Sequence, residues 1–138
     1  MTKYPEFLRI YGDLSYRGPC PQELVEQISI VNQIRRVYPD TYGRIAVHIR
    51  NEGARTHGQV VRHKAEGLTK GAPDLVIPGS PSLLIEIKRQ NPQLSRISKE
   101  QLEYLEAAHN AGAFVCVAFG AKAAWEGFEE WLRIKSQQ

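Results

Sequence analysis

The sequence contains few of the features that mark membrane-embedded, secreted or disulfide-stapled proteins. Its hydrophobic runs all fall short of the roughly 20 residues that span a bilayer, and the amino terminus lacks the apolar stretch of a secretory signal. Cysteine is scarce: Cys20 lies between prolines, and Cys116 lies inside an apolar run where a small core side chain is expected. These absences predict a chain without a membrane segment that functions in the cytoplasm.

Motifs for several common chemistries are also absent. The 4 histidines do not have the spacing of zinc ligands, and the chain contains no Cys-x-x-Cys pair, nucleophile elbow or glycine-rich phosphate loop. No such motif therefore competes with the carboxylates and basic side chains as a candidate site.

Length and charge indicate one globular domain with an uneven charge distribution. The 138 residues are enough to bury a core without disulfide or zinc staples, and the formal net charge is +3. Residues 35–99 carry twelve lysines or arginines against five acids, a net charge of +7, and the rest of the chain sums to −4. This asymmetry favours a positive surface suited to a phosphate backbone, although an ordinary solvated face would show the same composition.

Periodicity and turn signals predict an α/β fold with the element order αβββαβα. An irregular arm over residues 1–20 precedes a single domain over residues 21–138, and Pro21 is a good first-turn residue for a helix that ends near Val37. A strand, helix, strand passage late in the chain implies a mixed sheet flanked by helices. The further elements are strands over residues 45–49, 74–77, 83–89 and 114–119, a polar helix or loop over 60–67, and helices over 98–111 and 122–134.

Glu86 interrupts a strand that is otherwise aliphatic. An ionised carboxylate without a partner costs several kcal/mol in a low-dielectric strand, so Glu86 requires a cation beside it, either Lys88 or a metal ion. Because side chains alternate along a strand, Glu86 and Lys88 point to the same face. The Pro- and Gly-rich turn over residues 78–82 predicts an antiparallel hairpin, which brings Asp74 close to Glu86.

These charged residues form a set suited to phosphodiester hydrolysis. Two carboxylates, a backbone carbonyl and waters make a hard-oxygen site for Mg²⁺ or Mn²⁺. A bound ion would lower the pKa of a water and stabilise charge on a phosphoryl oxygen, and a nearby lysine would orient the nucleophile. The alternative is a structural ion pair of Lys88 with Glu86 or Asp74 on a half-exposed hairpin, which the spacing alone does not exclude.

The same residues resemble a nuclease signature. Pro73-Asp74, followed twelve residues later by Glu86-Ile87-Lys88, is similar to the motif of the PD-(D/E)xK nuclease superfamily. From about residue 21 to residue 132 the chain resembles the VRR-NUC family of that superfamily, with Val61-Arg62-His63 where the family name gives Val-Arg-Arg. The matching segments are Glu23-Leu24-Val25-Glu26-Gln27, Asn51-Glu52-Gly53, Val60-Val61-Arg62, Lys64-Ala65-Glu66-Gly67, Gly71-Ala72-Pro73-Asp74 and Ser98-Lys99-Glu100-Gln101 with Tyr104.

The resemblance implies a restriction-endonuclease-like core and a metal-dependent nuclease that acts on DNA. It makes Asp74 and Glu86 metal ligands, together with the backbone carbonyl of Ile87. Lys88 takes the place of the catalytic lysine. Mg²⁺ is the implied cofactor, and Mn²⁺ is expected to substitute for it.

Two further catalytic residues follow from the resemblance, each with a structural alternative. The glutamate of the family's first helix maps to Glu23, which would be a further metal ligand, and Glu26 is the second choice because a shift of three residues stays near the same face. A solvated acid near the helix amino terminus would look the same. Gln101 matches a glutamine that would orient a water or phosphate near Lys88, but it also suits the capping box opened by Ser98.

The remaining implications concern substrate and assembly. Arg62, Lys64 and Lys70 are candidate phosphate contacts, and Tyr104 either touches DNA or packs. Standalone members of the family are similar to Holliday-junction resolvases of bacteria and viruses, which implies a homodimer acting on branched DNA in a bacterial or virus-infected cell. Flap, nicking or duplex nucleases, and a DNA-binding module without turnover, are the alternatives.

Overall fold

The computed structural model describes residues 4–49, 56–67 and 69–137, so the Asn51-Glu52-Gly53 segment of the predicted motif set lies outside the described residues. Within these ranges a 3-10 turn at Pro92–Leu94 accompanies ten regular elements. The strands are β1 (Arg9–Tyr11), β2 (Val47–His48), β3 (Leu75–Ile77), β4 (Leu83–Lys88) and β5 (Phe114–Phe119). The helices are α1 (Glu23–Val37), α2 (Tyr42–Ile45), α3 (His57–Ala65), α4 (Lys99–Asn110) and α5 (Ala121–Ser136).

The five strands form one mixed sheet in the order β1-β5-β4-β3-β2. β4 pairs in parallel with β5 and antiparallel with β3, with Leu75 opposite Ile85 and Ile77 opposite Leu83. The prediction of an α/β fold with a mixed sheet and a β3–β4 hairpin is confirmed. In the described ranges, none of the helices has both the length and the apolar character needed to cross a membrane.

The alternation of side chains on β4 and β5 divides the core into two clusters, one on each face of the sheet. The first core cluster joins one face to α1 and α5, and Ile85 and Ile87 of β4 belong to it. The second core cluster lies on the opposite face, where Leu84 packs with Val117 of β5 and Leu105 of α4. Glu86 and Lys88 follow Leu84 at intervals of two residues, so they continue on the α4 side of the sheet.

The N-terminal segment is more ordered than its sequence predicts. Residues 9–11 form β1, which pairs in parallel with β5 and completes the edge of the sheet, and Leu8 is buried in the second core cluster. The prediction of an irregular arm over residues 1–20 is therefore wrong for this strand. The sequence Arg9-Ile10-Tyr11 carries a weak strand signal because the strand is stabilised by pairing with β5, more than one hundred residues away.

The first helix is present as predicted, but its buried face differs in part. Its apolar pattern predicts a core face from Leu24, Ile28 and Val31, joined by Ile30, Ile34 and Val37. Ile30 and Ile34 are buried, yet the exposed fractions of Leu24 and Ile28 are 60% and 52%. The buried positions of α1 are Glu26, Ile30 and Ile34, which repeat every four residues. Since two residues correspond to about 200° around a helix, this stripe leaves Leu24 and Ile28 on the opposite side.

Candidate active site

Three carboxylates converge at the open end of the β3–β4 hairpin. Glu23, Asp74 and Glu86 each offer an oxygen, and these oxygens all lie within 4.8 Å of one another. Asp74 immediately precedes β3, so the hairpin register sets it beside the middle of β4, where its Oδ2 accepts a hydrogen bond of 2.8 Å from the Ile87 backbone N–H. Glu23 is the first residue of α1, which packs against β4. Three separate elements therefore supply one acidic cluster.

Glu86 is the most deeply buried of these acids. Its side chain is 1% exposed, and its Oε1 accepts a hydrogen bond of 2.9 Å from Gln101 Nε2 and lies 3.7 Å from Lys88 Nζ. Its other oxygen, Oε2, is buried and has no hydrogen-bond partner in the described part of the chain. Lys88 is 4% exposed. The alternative of a half-exposed surface pair is therefore wrong for Glu86 and Lys88.

The surroundings of the cluster oppose the ionisation of Glu86 and Glu23. Burial and the neighbouring carboxyl group of Asp74 together raise the pKa of Glu86 to about 10, against the opposing effect of the Lys88 ammonium. Burial also raises the pKa of Glu23, and Lys88 opposes that shift too. One lysine thus faces three carboxylates. The orphaned Oε2 and the set of oxygen donors fit a hard divalent cation such as Mg²⁺, which would bind these oxygens and balance the charge.

Gln101 forms the capping box that the sequence indicated and also contacts two residues of the site. As the third residue of α4 it completes a capping box, because its N–H donates to Ser98 Oγ and its Oε1 accepts from the Ser98 N–H. The same Oε1 also accepts a hydrogen bond of 3.2 Å from Lys88 Nζ, while Nε2 donates to Glu86. The helix cap therefore holds the amide in the orientation that bridges lysine and carboxylate.

Gly71 allows the loop before Asp74 to pass close to the start of α4. Its φ of +86° is in the region that side chains rarely adopt, and a Cβ at this position would collide with the backbone carbonyl of Glu100. This close approach fixes the distance between the element that carries Asp74 and the helix turn that carries Gln101. We infer that any larger residue at Gly71 would displace one of them.

The two glutamates at the start of α1 have different surroundings. Glu23 lies in the acidic cluster, whereas Glu26 is buried and accepts a hydrogen bond from the backbone N–H of Ala121, the first residue of α5. A negative charge at a helix amino terminus is favourable, so Glu26 has a structural partner of its own. Its Oε2 also lies where a Cβ on Gly120 would approach to 2.8 Å. The geometry favours Glu23 over Glu26 as the acid of the first helix.

The predicted DNA contacts lie outside the acidic cluster. Arg62 and Lys64 are exposed on α3, and Lys70 is exposed and 3.4 Å from a carboxylate oxygen of Glu100. Tyr104 is partly buried against the second core cluster, so packing accounts for part of its surface. The structure therefore brings together the predicted catalytic residues and leaves the predicted phosphate contacts on the surface.

Sequence reasoning missed one residue at the margin of this site. Arg89 follows Lys88, and its guanidinium donates hydrogen bonds of 3.0 Å to the carbonyl oxygens of Cys20 and Pro21, just before α1. No local signal in the sequence identifies this contact, because the partners are separated by 68 and 69 residues. The sequence signal for Arg89 is limited to its position directly after the Glu86-Ile87-Lys88 motif.

Comparison with known proteins gives a match among solved structures. No family model matches the sequence, and no curated protein matches it. A solved structure described as a VRR_NUC domain protein superposes with a TM-score of 0.69 and 21% sequence identity, over 83% of this chain and 91% of that chain. The likeness covers most of both chains. The chain therefore has the same fold as that VRR_NUC domain structure, as expected for a restriction-endonuclease-like α/β protein.

Proposed function

We propose that this protein is a VRR-NUC nuclease, a metal-dependent, structure-selective endonuclease that hydrolyses phosphodiester bonds in DNA. The observation that carries the proposal is the buried Glu86, which shares a cluster with Glu23 and Asp74 and has one oxygen without a hydrogen-bond partner among the residues that the structure describes. Lys88 lies beside it, although one ammonium does not balance the acids. Such a cluster is costly in a protein that binds no cation, so we assign it to a metal site.

The residues divide into metal ligands and groups that act on the substrate. Asp74, Glu86 and Glu23 would hold Mg²⁺ or Mn²⁺. The Ile87 N–H donates to Asp74, so the backbone of Ile87 lies beside the cluster, and its carbonyl would be a further ligand. When bound, the cation would supply Lewis-acid stabilisation of phosphoryl oxygen and an activated water. Lys88 would stabilise the developing phosphate charge or orient the nucleophile.

Gln101 would serve mainly to orient Lys88 and Glu86. Its amide oxygen accepts from Lys88 Nζ and its amide nitrogen donates to Glu86 Oε1, so a single amide plane fixes both side chains. Because the Ser98 cap restricts rotation of that amide, Lys88 keeps one direction without help from the substrate. Contact of Gln101 with a water or phosphate is compatible with this arrangement.

The DNA would extend from the acidic cluster toward basic surface side chains. Arg62 and Lys64 on α3, with Lys70 in the loop before Asp74, are exposed cations that suit backbone phosphates. Tyr104 lies one turn after Gln101 on α4 and presents a partly exposed ring. We assign these residues to substrate binding rather than to chemistry.

For the preferred substrate we propose a Holliday junction cut by a homodimer. A two-fold dimer would present two active sites to two strands of a pseudo-symmetric junction, which is the geometric reason for this choice. A flap, nicking or duplex nuclease is the alternative within the same chemistry. Paired symmetric cuts in a four-way junction, together with a dimeric mass in light scattering, distinguish the resolvase.

The proposal is tested by cleavage of matched synthetic DNAs. Four-way junction, flap, nicked, duplex and single-stranded substrates are incubated with wild type in Mg²⁺, Mn²⁺ or EDTA, beside Asp74→Asn. The control is Asp40→Asn, the same substitution at an exposed turn position. We expect metal-dependent cutting that falls about 1,000-fold in Asp74→Asn, since a metal ion is worth several kcal/mol to the transition state, and is unchanged in Asp40→Asn.

Two outcomes would contradict the proposal that this protein is a nuclease with its active site at the acidic cluster. Cutting that persists in EDTA or in Asp74→Asn would place the activity elsewhere. Binding of a junction without any cutting would favour a DNA-binding module, although two carboxylates close to DNA phosphates oppose such a role unless a cation lies between them.

A further inference from the structure

Arg89 directly follows β4, the strand that carries Glu86 and Lys88, and forms hydrogen bonds with the segment just before α1. Consecutive residues of a strand point to opposite faces, so Lys88 turns toward α4 and Gln101 while Arg89 turns toward α1. Arg89 Nε donates to the Pro21 carbonyl and Nη2 to the Cys20 carbonyl, each at 3.0 Å. The backbone N–H of Arg89 is fixed as well, by a hydrogen bond of 3.0 Å to Ser95 Oγ.

The start of α1 depends on this contact because its own capping is poor. Gln22 is the N-cap residue, and among the described residues it gives α1 no side-chain cap. Glu23 follows two residues after Pro21 and must keep its carboxylate within the acidic cluster. Glu26 ties the next turn to α5, whereas in the described structure Arg89 links Cys20 and Pro21, just before α1, to the end of β4 by hydrogen bonds.

We propose that Arg89 is a positioning residue that holds Glu23 in register with Glu86 and Lys88. The inference rests on the proposed function, because it gives Glu23 a role at the metal. Arginine suits this task better than lysine, since two of its nitrogens reach two neighbouring carbonyls in one plane. Arg89→Ala removes none of the carboxylates but frees the first turn of α1, with Glu23, to move, and a displacement of about 1 Å costs on the order of 100-fold in rate at a catalytic site.

The test is a double-mutant cycle between Arg89 and Glu23, read by metal affinity and by cleavage. Mn²⁺ affinity is measured by titration calorimetry, and single-turnover cleavage gives the rate at saturating DNA, for wild type, Arg89→Ala, Glu23→Gln and the double variant. Arg36→Ala, which removes an exposed arginine from the last turn of the same helix, is the matched control. Arg89→Lys keeps the charge with at most one of the two bonds.

We expect Arg89→Ala to lower Mn²⁺ affinity and the cleavage rate by about tenfold or more, with DNA affinity nearly unchanged. In the Glu23→Gln background the same substitution should have no further effect, because its target is already lost. Arg89→Lys should fall between wild type and Arg89→Ala, and Arg36→Ala should match wild type.

Three results would overturn the positioning role. Equal losses from Arg89→Ala in both backgrounds would mean that Arg89 acts independently of Glu23. Weaker DNA binding with a smaller salt dependence would make it a phosphate contact. A lower unfolding temperature with unchanged Mn²⁺ affinity would make it purely structural.

If the wild type binds Mn²⁺ but cuts no DNA, the nuclease proposal fails, and the calorimetric cycle alone still decides the role of Arg89.

Discussion

Two acidic side chains, Glu130 of α5 and Glu86 of β4, have opposite surroundings. Glu130 of α5 accepts hydrogen bonds at one oxygen from Arg9 at 2.6 Å and Tyr11 at 2.7 Å, and its other oxygen lies 3.8 Å from Arg133. It is 32% exposed, so solvent reaches it as well. Glu86 is buried beside two other carboxylates, and one of its oxygens has no hydrogen-bond partner within the described residues.

The difference separates structural charge from functional charge. The Glu130 network ties β1 to α5 with an arginine beside each oxygen of the carboxylate, which suits stabilisation. Asp74, Glu86 and Glu23 instead bring three carboxyl groups together where Lys88 is the nearby cation, and burial opposes the ionisation of Glu86 there, at a cost to the fold. Proteins retain such costly arrangements chiefly at functional sites, so the cost is itself the evidence for a ligand.

The largest expected effect concerns the response of the two acids to a divalent cation. Mg²⁺ that binds only the folded state should stabilise wild type by about 2.7 kcal/mol at 100 times its dissociation constant. Glu86→Gln removes a ligand, so the stabilisation should be lost. Glu130→Gln should respond as wild type does. Calorimetric unfolding with and without Mg²⁺ measures the three responses.

Equal stabilisation of all three proteins would contradict the assignment of Glu86 as a ligand. Mg²⁺ would then bind elsewhere on the chain. A response lost in Glu130→Gln but kept in Glu86→Gln would reverse the comparison, and it would place the metal at the β1–α5 contact.

The second effect is a pH dependence of stability in metal-free buffer. Burial and the neighbouring Asp74 raise the pKa of Glu86 from an ordinary 4.5 to about 10, so the folded state keeps a proton that the unfolded state releases. Stability should therefore fall as pH rises between these values, by up to about 1.4 kcal/mol per pH unit. Glu86→Gln, whose amide stays neutral, should be more stable than wild type at neutral pH and should depend less on pH.

Urea unfolding in EDTA, at pH values of about 6 and 8, measures this difference. The stability gap between Glu86→Gln and wild type should widen at the higher pH. Parallel curves for the two proteins would show that the unfolded and folded states titrate Glu86 alike, and the idea of a costly buried carboxylate would fail.

The parts of this site that sequence predicted are those set by local rules. Strand alternation places Glu86 and Lys88 together, and a turn-rich link makes the hairpin that brings Asp74 to them. The Ser98 to Gln101 capping box is likewise a short-range pattern, and it forms as expected. Each of these features depends on residues within about one hairpin or one helix turn.

The parts that sequence missed are set by contacts between distant segments. β1 exists because Arg9-Ile10-Tyr11 meets the free edge of β5, and Arg89 reaches carbonyls almost seventy residues earlier. The buried face of α1 is another case. Its core positions include Glu26 because α5 supplies a partner for that carboxylate, whereas the apolar Ile28 remains exposed. Hydrophobic periodicity cannot anticipate which polar side chains a neighbouring helix will satisfy.

The smallest expected effect is the loss of stability on substitution of Glu130, the structural acid of the comparison. Glu130→Gln removes the charge that Arg9 contacts, while the amide oxygen still accepts from Tyr11. A partly exposed ion pair of this kind is worth about 1 kcal/mol or less, so the free energy of unfolding should fall by that amount and cleavage should be unchanged. Urea unfolding and the junction assay, run on the same preparation, measure both quantities. A large loss of cleavage without a loss of stability would show that the β1–α5 contact takes part in function, because a purely structural charge has no route to the chemistry except through the fold.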